Sequence, residues 1–201
     1  MSQGRLFEVP PEPEKLPPSG GRSLRRGEVP LGFRYKRDFI TPDEEKKLLE
    51  LFKKAPLHPW NYKGYESKKR VQGFIKEKGF PLALKPLFKR VAAFAGVLPS
   101  SIHHALIAEY MPGTGIGWHR DNGPYEKVIG ISFGSPCLFR LRKLPQKFDP
   151  KSNKRKWEHI TITAEPRSIY IMSGESHRRW QHSVAPVKDY RYSLTIRTLE
   201  K

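Results

Sequence analysis

His119 and Asp121 stand two positions apart in the stretch GIGWHRDNG, residues 115 to 123. On an extended segment their side chains project to the same side, so they can bind one ion together. An H-x-D tripeptide alone is weak evidence, because many such triplets belong to solvated turns. A metal site in this chain would therefore need a third ligand from another segment.

His182 is the leading candidate for that ligand, since it lies in the apolar stretch WQHSVAPV. Two imidazoles and one carboxylate on one side of a metal leave the opposite positions open, which is the ligand set of non-haem Fe(II) oxygenases. The alternative for His182 is a core histidine that hydrogen-bonds the backbone. His177 in GESHRRWQH is a second candidate, whereas His103 and His104 are expected to be structural or exposed.

The stretch RYSLTIR, residues 191 to 197, places two arginines where they could bind an anion. On a strand Arg191, Ser193 and Arg197 share one face. The leucine and isoleucine between them argue against a solvated strand with scattered arginines. A buried arginine needs an anionic partner, and its planar fork matches a carboxylate. The pattern therefore predicts a carboxylate ligand opposite the metal.

Two helices and a series of short strands are predicted to position these residues. Thr41 caps the first helix, with Pro42 in the first helical position and Glu44 completing a capping box. The second helix covers KPLFKRVAAFAG, from near Pro86 to Gly96. The predicted strands are HHALIAEY, KVIGISFG, CLFRLRK, EHITITA, RSIYIMS, RRWQHSVA and YSLTIRT. This order predicts a mainly β chain of the α+β class, with N-terminal helices and an antiparallel barrel or jelly roll.

The charge of the chain indicates a class of partner. Its 201 residues suit one domain, and 38 Lys and Arg against 20 Asp and Glu give a formal charge of +18. Such a charge attracts phosphate polymers, so nucleic acid is the leading partner, although solubility or host composition would explain the charge as well. Residues 1 to 28 are rich in Pro, Gly and charge and are predicted to be a flexible basic tail.

Cysteine use and hydropathy predict a cytoplasmic protein. Cys137 is the single cysteine and is interpreted as a buried hydrophobe, because free cysteines usually lie in cores. No run reaches the roughly 20 apolar residues of a membrane span. We therefore expect no membrane partner, and we expect a monomer.

Three stretches together resemble the AlkB family of Fe(II)/2-oxoglutarate-dependent dioxygenases, in its bacterial branch: EYMPGTGIGWHRD, WQHSVAPV and RYSLTIRTL. The resemblance runs from about residue 30 to the C-terminus. It implies a double-stranded β-helix core in a domain over residues 29 to 201, with Fe(II), 2-oxoglutarate and O2 as cofactors. His119, Asp121 and His182 would be the iron ligands and, with Arg191, the catalytic residues.

The resemblance also implies the cosubstrate contacts. Arg191 would pair with the distal carboxylate of 2-oxoglutarate, Arg197 would lie near the metal-chelating end, and Tyr110 would hydrogen-bond the cosubstrate. Ala108 stands where several members place an asparagine beside that carboxylate. Ser193 or a water could supply the missing contact.

The reaction that the resemblance implies is removal of N-alkyl groups from bases in DNA or RNA. An iron(IV)-oxo oxidant would hydroxylate the alkyl group, which would leave as formaldehyde, while 2-oxoglutarate is decarboxylated to succinate. Gly123 stands where some members carry an acid that helps to recognise the base, so no base preference is implied. The alternatives are a tRNA-directed oxygenase, an oxygenase of the same fold acting on proteins or small molecules, and a nucleic-acid-binding module without a metal.

The stretch HPWNYKGYESKKRVQGF, residues 58 to 74, interleaves aromatic and basic residues where the AlkB family has its substrate lid. A base must be single-stranded or flipped out to reach a buried metal, and can then stack on an aromatic ring. We therefore predict a nucleotide-recognition lid over about residues 58 to 75; the alternative is a solvated loop. The predicted substrate contacts are Trp60, Tyr62, Tyr65, Lys69, Arg70, Trp118, His119 and Arg120. The basic loop 146 to 156 is a further predicted phosphate contact.

Overall fold

The computed structural model describes residues 29–62, 65–143 and 157–199, with the backbone alone at residues 62, 65 and 66. The predicted tail, residues 1 to 28, and the predicted phosphate loop, residues 146 to 156, lie outside the described residues. Within the described part, no helix is long and apolar enough to cross a membrane.

The described residues form three helices and many short strands. The helices are α1 (Pro42–Lys54), α2 (Lys85–Ala95) and α3 (Gly174–Arg178). The strands are β1 (Phe33–Lys36), β2 (His58–Tyr62), β3 (Tyr65–Ile75), β4 (Ile102–Tyr110), β5 (Ile116–His119), β6 (Tyr125–Gly134), β7 (Cys137–Lys143), β8 (Glu158–Ala164), β9 (Ile169–Ser173), β10 (Gln181–Val184) and β11 (Arg191–Leu199).

The strands build two antiparallel sheets. The larger sheet has the order β1-β9-β6-β11-β4-β3-β2, and the smaller has the order β5-β10-β7-β8. From β4 to β11 the chain passes repeatedly between the two sheets, with β7 and β8 as a consecutive pair in the smaller one, as in a jelly roll. The predicted fold class, a mainly β chain with helices before a double-stranded β-helix, is confirmed.

The two helices begin and end as their end signals predict. Thr41 accepts a hydrogen bond from the Glu44 backbone, and the Glu44 carboxylate accepts one from the Thr41 backbone, which completes the capping box. The second helix begins at Lys85, one residue before Pro86, and ends at Gly96, whose φ of 66° is the left-handed conformation that glycine adopts readily.

Both faces of the larger sheet are buried, each against a different layer. One face packs under α1 and α2, and the opposite face lies against the smaller sheet. The cluster under the helices includes Phe52, Leu87, Val91, Ile129, Ile131, Leu194 and Ile196. The cluster between the sheets includes Val71, Ala108, Tyr110, Phe139, Leu141 and Val184. Because neighbouring strand residues point to opposite faces, Leu194 and Ile196 face the helices while the arginines of β11 face the space between the sheets.

Two predicted elements differ from the structure. The predicted strand RRWQHSVA begins only at Gln181, because the residues before it form the short helix α3, whose capping box uses Ser173 and Ser176. Residues 65 to 75 of the predicted lid form the long strand β3, which pairs with β4 and extends the larger sheet. The lid segment is therefore a β-hairpin attached to the core rather than a solvated loop.

Candidate active site

The two sheets bring His119, Asp121 and His182 together. His119 is the last residue of β5, and His182 lies directly opposite it on β10. One nitrogen of each imidazole and one carboxylate oxygen of Asp121 all lie within 4.8 Å of one another. His182 Nε2 is 3.4 Å from Asp121 Oδ2. The structure places His182, and not the alternative His177, in this group.

The protonation states of these three residues suit a metal. His182 is only 7% exposed, and burial together with the nearby His119 lowers its pKa to about 3. Burial also lowers the pKa of His119. Burial opposes ionisation of Asp121, but His182 and Arg197 outweigh it and lower its pKa to about 2. Near neutral pH the site therefore offers two neutral imidazoles and one carboxylate, the forms that metal ligands require.

Arg197 and His104 hold Asp121 in place. Arg197 Nε donates to Asp121 Oδ1 at 2.8 Å, and Arg197 Nη2 donates to the same oxygen. Arg197 Nη1 lies 2.8 Å from His104 Nδ1. Burial and the Arg197 charge lower the pKa of His104 to about 4, so this ring stays neutral and can accept the hydrogen bond. The other carboxylate oxygen, Asp121 Oδ2, is not used by Arg197 and lies near His182.

The position of His104 could not be read from its sequence neighbours. It was expected to be structural or exposed, and it is half-buried and bonded to Arg197. The signal for this role was its strand register, because His104 is the direct partner of Arg197 across β4 and β11. That register becomes visible only when the two strands are known to pair.

Arg191 lies in the space between the sheets with unused hydrogen-bonding capacity. It is 1% exposed, and its Nη2 donates to Ser132 Oγ at 3.0 Å. Its Nε and Nη1 have no hydrogen-bond partner among the described residues. A buried guanidinium with unpaired N–H donors is costly unless an anion binds it, and a guanidinium group suits a carboxylate. The site therefore fits an anionic ligand at this point.

Tyr110 and Ser193 lie beside Arg191 on the same face. The Tyr110 ring centre is 4.8 Å from the Arg191 guanidinium carbon. Both side chains are buried, and burial raises the pKa of Tyr110, so its hydroxyl keeps its proton and can donate. Ser193 pairs with Ala108 across the strands. Its hydroxyl therefore lies next to Ala108, the position at which the family pattern has an asparagine.

These residues fit Fe(II) and 2-oxoglutarate in both donor type and burial. A model of the 2OG-Fe(II) oxygenase superfamily matches residues 52–197. The chain belongs to that superfamily. Its cofactors are accordingly Fe(II), 2-oxoglutarate and O2.

The chain is similar to curated proteins and to solved structures. The uncharacterized protein L905 of Acanthamoeba polyphaga mimivirus is 26% identical and covers 89% of this chain and 90% of its own. A protein named probable RNA/DNA demethylase ALKBH6, from Danio rerio, is 24% identical over 80% of this chain and 72% of its own. The crystal structure of a Pseudomonas putida prolyl-4-hydroxylase aligns with a TM-score of 0.60 at 14% identity, covering 85% of this chain and 93% of its own. The predicted resemblance is confirmed: this oxygenase is AlkB-like.

The β2–β3 hairpin places Trp60 and Lys69 together. Residue pairing in β2 is irregular at Trp60, and this side chain is 41% exposed. Lys69 is 8% exposed, and its Nζ lies 4.9 Å from the centre of the Trp60 ring. Lys69 shares the face of β3 that carries Val71, a member of the cluster between the sheets. The backbones of Tyr62 and Tyr65 pair across the hairpin, and their side chains lie outside the described residues.

The predicted substrate contacts Arg70 and Trp118 have partners within the chain. Arg70 Nη1 forms an ion pair with Glu109 Oε2 at 3.0 Å, and Nη2 donates to the Leu57 carbonyl, so this guanidinium attaches the hairpin to β4. Trp118 precedes His119 by one position and therefore points to the opposite face of β5. Its ring packs against Arg142, with the guanidinium carbon 4.4 Å from the ring centre, on the outer side of the smaller sheet.

A cleft of about 590 Å³ borders Asp121 on its outer side. Arg120 and His177 line it, and Arg120 Nη1 donates to the Arg178 carbonyl at 3.2 Å. Gly123 also lines the cleft with φ of 131°, and a Cβ atom there would lie 2.7 Å from the Tyr125 ring. An acidic side chain would therefore be strained at this position.

Proposed function

We propose that the chain is an oxidative demethylase or dealkylase that removes N-alkyl groups from bases in DNA or RNA. The observation that carries the proposal is the pairing of exposed Trp60 with buried Lys69 on the hairpin, on the inward face of β3. An aromatic ring and a cation at the entrance of an oxygenase site suit a base and its phosphates. The formal charge of +18 favours the same class of substrate.

In this proposal each residue of the site has a defined task. His119, Asp121 and His182 bind Fe(II), and Arg197 fixes the orientation of Asp121 through their hydrogen bonds. Arg191 binds the distal carboxylate of 2-oxoglutarate with N–H groups that have no partner among the described residues. Tyr110 and Ser193 form the remaining polar wall beside it.

The bound cofactors supply the oxidation, and the chain supplies binding and orientation. O2 and 2-oxoglutarate are consumed as CO2 and succinate form, and one oxygen atom enters the C–H bond of the N-alkyl carbon. The hydroxylated group then leaves as formaldehyde, and the base nitrogen regains a proton. Burial of Arg191 and His182 between the sheets keeps bulk water away from the reacting side of the site.

The substrate must be single-stranded or flipped out in this proposal, because the metal ligands lie between two sheets. Trp60 is the ring on which the extruded base stacks, with His119 on its other side. A tRNA-directed oxygenase would use the same features. An oxygenase acting on a protein or small molecule is the alternative from another class, and the prolyl-4-hydroxylase is an example of this fold outside nucleic acids.

Mass spectrometry of methylated oligonucleotides tests the proposal. The full chain is incubated with Fe(II), ascorbate and 2-oxoglutarate and a panel of DNA and RNA strands, single and double. We expect loss of a methyl group together with succinate release, and loss of both in Asp121→Ala. Asp189→Ala is a matched control, because this carboxylate is exposed and is not one of the three ligands. Succinate release with every methyl group intact would refute the substrate class while leaving the chemistry in place.

A further inference from the structure

The charged groups on the substrate side of the site determine which N-alkylated bases can bind there. Lys69 is a long charged side chain with only 8% of its surface exposed, on the inward face of β3. Lysine is almost never buried to this extent without a partner. Among the described residues, the ring of Trp60 is the group that its ammonium contacts, and no carboxylate there forms an ion pair with it.

The other charges of the site are already balanced. Asp121 is bonded to Arg197 through two donors, so the carboxylate that could offset Lys69 is occupied. Arg191 faces the place of an anionic cosubstrate rather than the substrate. 2-Oxoglutarate would offset Arg191 with one carboxylate and contribute the other to the Fe(II) site. Lys69 is therefore a cationic side chain on the substrate side for which the described residues provide no ion pair.

The cleft beside Asp121 has no second acid at Gly123. An acidic side chain there would be strained, because of the φ of 131° and the Tyr125 ring 2.7 Å from an added Cβ. Arg120 lines the same cleft and adds a further cation. A base that itself carries a positive charge would thus meet Lys69 while the Asp121 carboxylate is bonded to Arg197.

We propose that Lys69 makes this oxygenase selective for neutral N-alkylated bases over cationic ones, by donating a hydrogen bond to a carbonyl or ring acceptor of the base. This inference rests on the proposed nucleobase function. 3-Methyluracil is a neutral base with two carbonyl acceptors. 3-Methylcytosine has nearly the same shape but is cationic at neutral pH and presents an amino donor in place of one carbonyl. A comparison of the two bases therefore tests the effect of charge and of hydrogen-bonding groups at nearly constant size.

Competing substrates at pH 7 test the proposal. A five-nucleotide strand carrying one 3-methyluracil and an otherwise identical strand carrying one 3-methylcytosine are supplied together to the full chain with Fe(II) and 2-oxoglutarate. Like charges at close range cost several kcal/mol, so we expect kcat/KM to favour 3-methyluracil by about 100-fold. Lys69→Gln keeps a donor without the charge and is expected to reduce the preference at least about tenfold. Lys69→Arg should retain the preference.

Lys68→Gln is the matched control. Lys68 is exposed on the opposite face of the same strand, so this variant removes the same formal charge from the protein without changing the site. It should bind both strands somewhat less tightly and keep their ratio. A wild-type preference for 3-methylcytosine, or a ratio that changes equally in the Lys68 and Lys69 variants, would overturn the proposal.

A binding measurement separates this inference from the general proposal. Fluorescence anisotropy of the two labelled strands with the metal-free full chain needs no turnover. If neither base is demethylated, the proposed function fails, but tighter binding of the 3-methyluracil strand that depends on Lys69 would still support charge selection. Equal binding of the two strands by the wild-type chain would refute it.

Discussion

Replacing Lys69 with methionine is expected to stabilise the metal-free protein at pH 7. Burial and the Arg197 charge lower the pKa of Lys69 from 10.5 to about 8. At about 1.4 kcal/mol for each tenfold change in proton affinity, holding this ammonium in the fold costs about 3 kcal/mol at pH 7. Methionine has a similar length and keeps a favourable sulfur contact with the Trp60 ring, which offsets the lost cation–π contact of about 1 kcal/mol.

The lowered pKa of Lys69 predicts how the stability difference between Lys69→Met and the wild type changes with pH. The folded state releases the Lys69 proton at a lower pH than the unfolded chain does, so the unfolded chain binds more protons between about pH 8 and 10.5. The cost of the buried charge is therefore full below pH 8 and disappears as the pH rises toward 10.5. The stability difference between Lys69→Met and the wild type should shrink from about 3 kcal/mol at pH 7 to about 1 kcal/mol at pH 10.

Urea denaturation after treatment with EDTA, at both pH values, measures this difference. Lys68→Met serves as a control, because exposed substitutions usually change stability by less than about 0.5 kcal/mol. A Lys69→Met protein that is less stable than the wild type at pH 7 would refute the assignment of Lys69 as a strained buried charge. So would a stability difference that is the same at pH 7 and pH 10.

Three further predictions concern other parts of the chain. Gly123→Asp should lower the free energy of unfolding by at least about 1 kcal/mol, because an L-residue at this φ presses on the neighbouring tyrosine ring; urea denaturation with no change would contradict the steric argument. Thr41→Ala should cost about 1 kcal/mol by removing the cap of α1, and an unchanged thermal midpoint would show that this cap contributes nothing. His104→Leu should weaken Mn(II) binding about tenfold by freeing Arg197, whereas His103→Leu should not; equal metal titrations of the two variants would argue against the positioning role.

Much of the site could be predicted because strand alternation is a local rule. The two-residue spacing of His119 and Asp121, and the alternation along β11, each fix which side chains share a face. The same rule predicts that Trp118 and His119 point to opposite faces of β5, since adjacent residues on a strand point apart. The resemblance of the motifs then supplied the pairing of distant segments that periodicity alone does not give.

The rest of the site depends on long-range pairing, which no local pattern encodes. His104 meets Arg197 only because β4 pairs with β11 in one register. Lys69 becomes buried only because the hairpin extends the larger sheet beside β4. In the sequence both are ordinary polar residues at strand positions, and nothing nearby distinguishes them from Lys68 or His103.

Strand β11 joins two functions in one nine-residue segment. Its even-numbered positions fill the core under the helices, and its odd-numbered positions from 191 to 197 provide the polar wall of the site. Across a set of related sequences, the even positions should therefore exchange among apolar residues of similar volume, while the odd ones should change only together with the cosubstrate or the metal. An insertion of one residue in this strand would exchange the two roles, so the length of β11 should vary less in evolution than that of the surrounding loops.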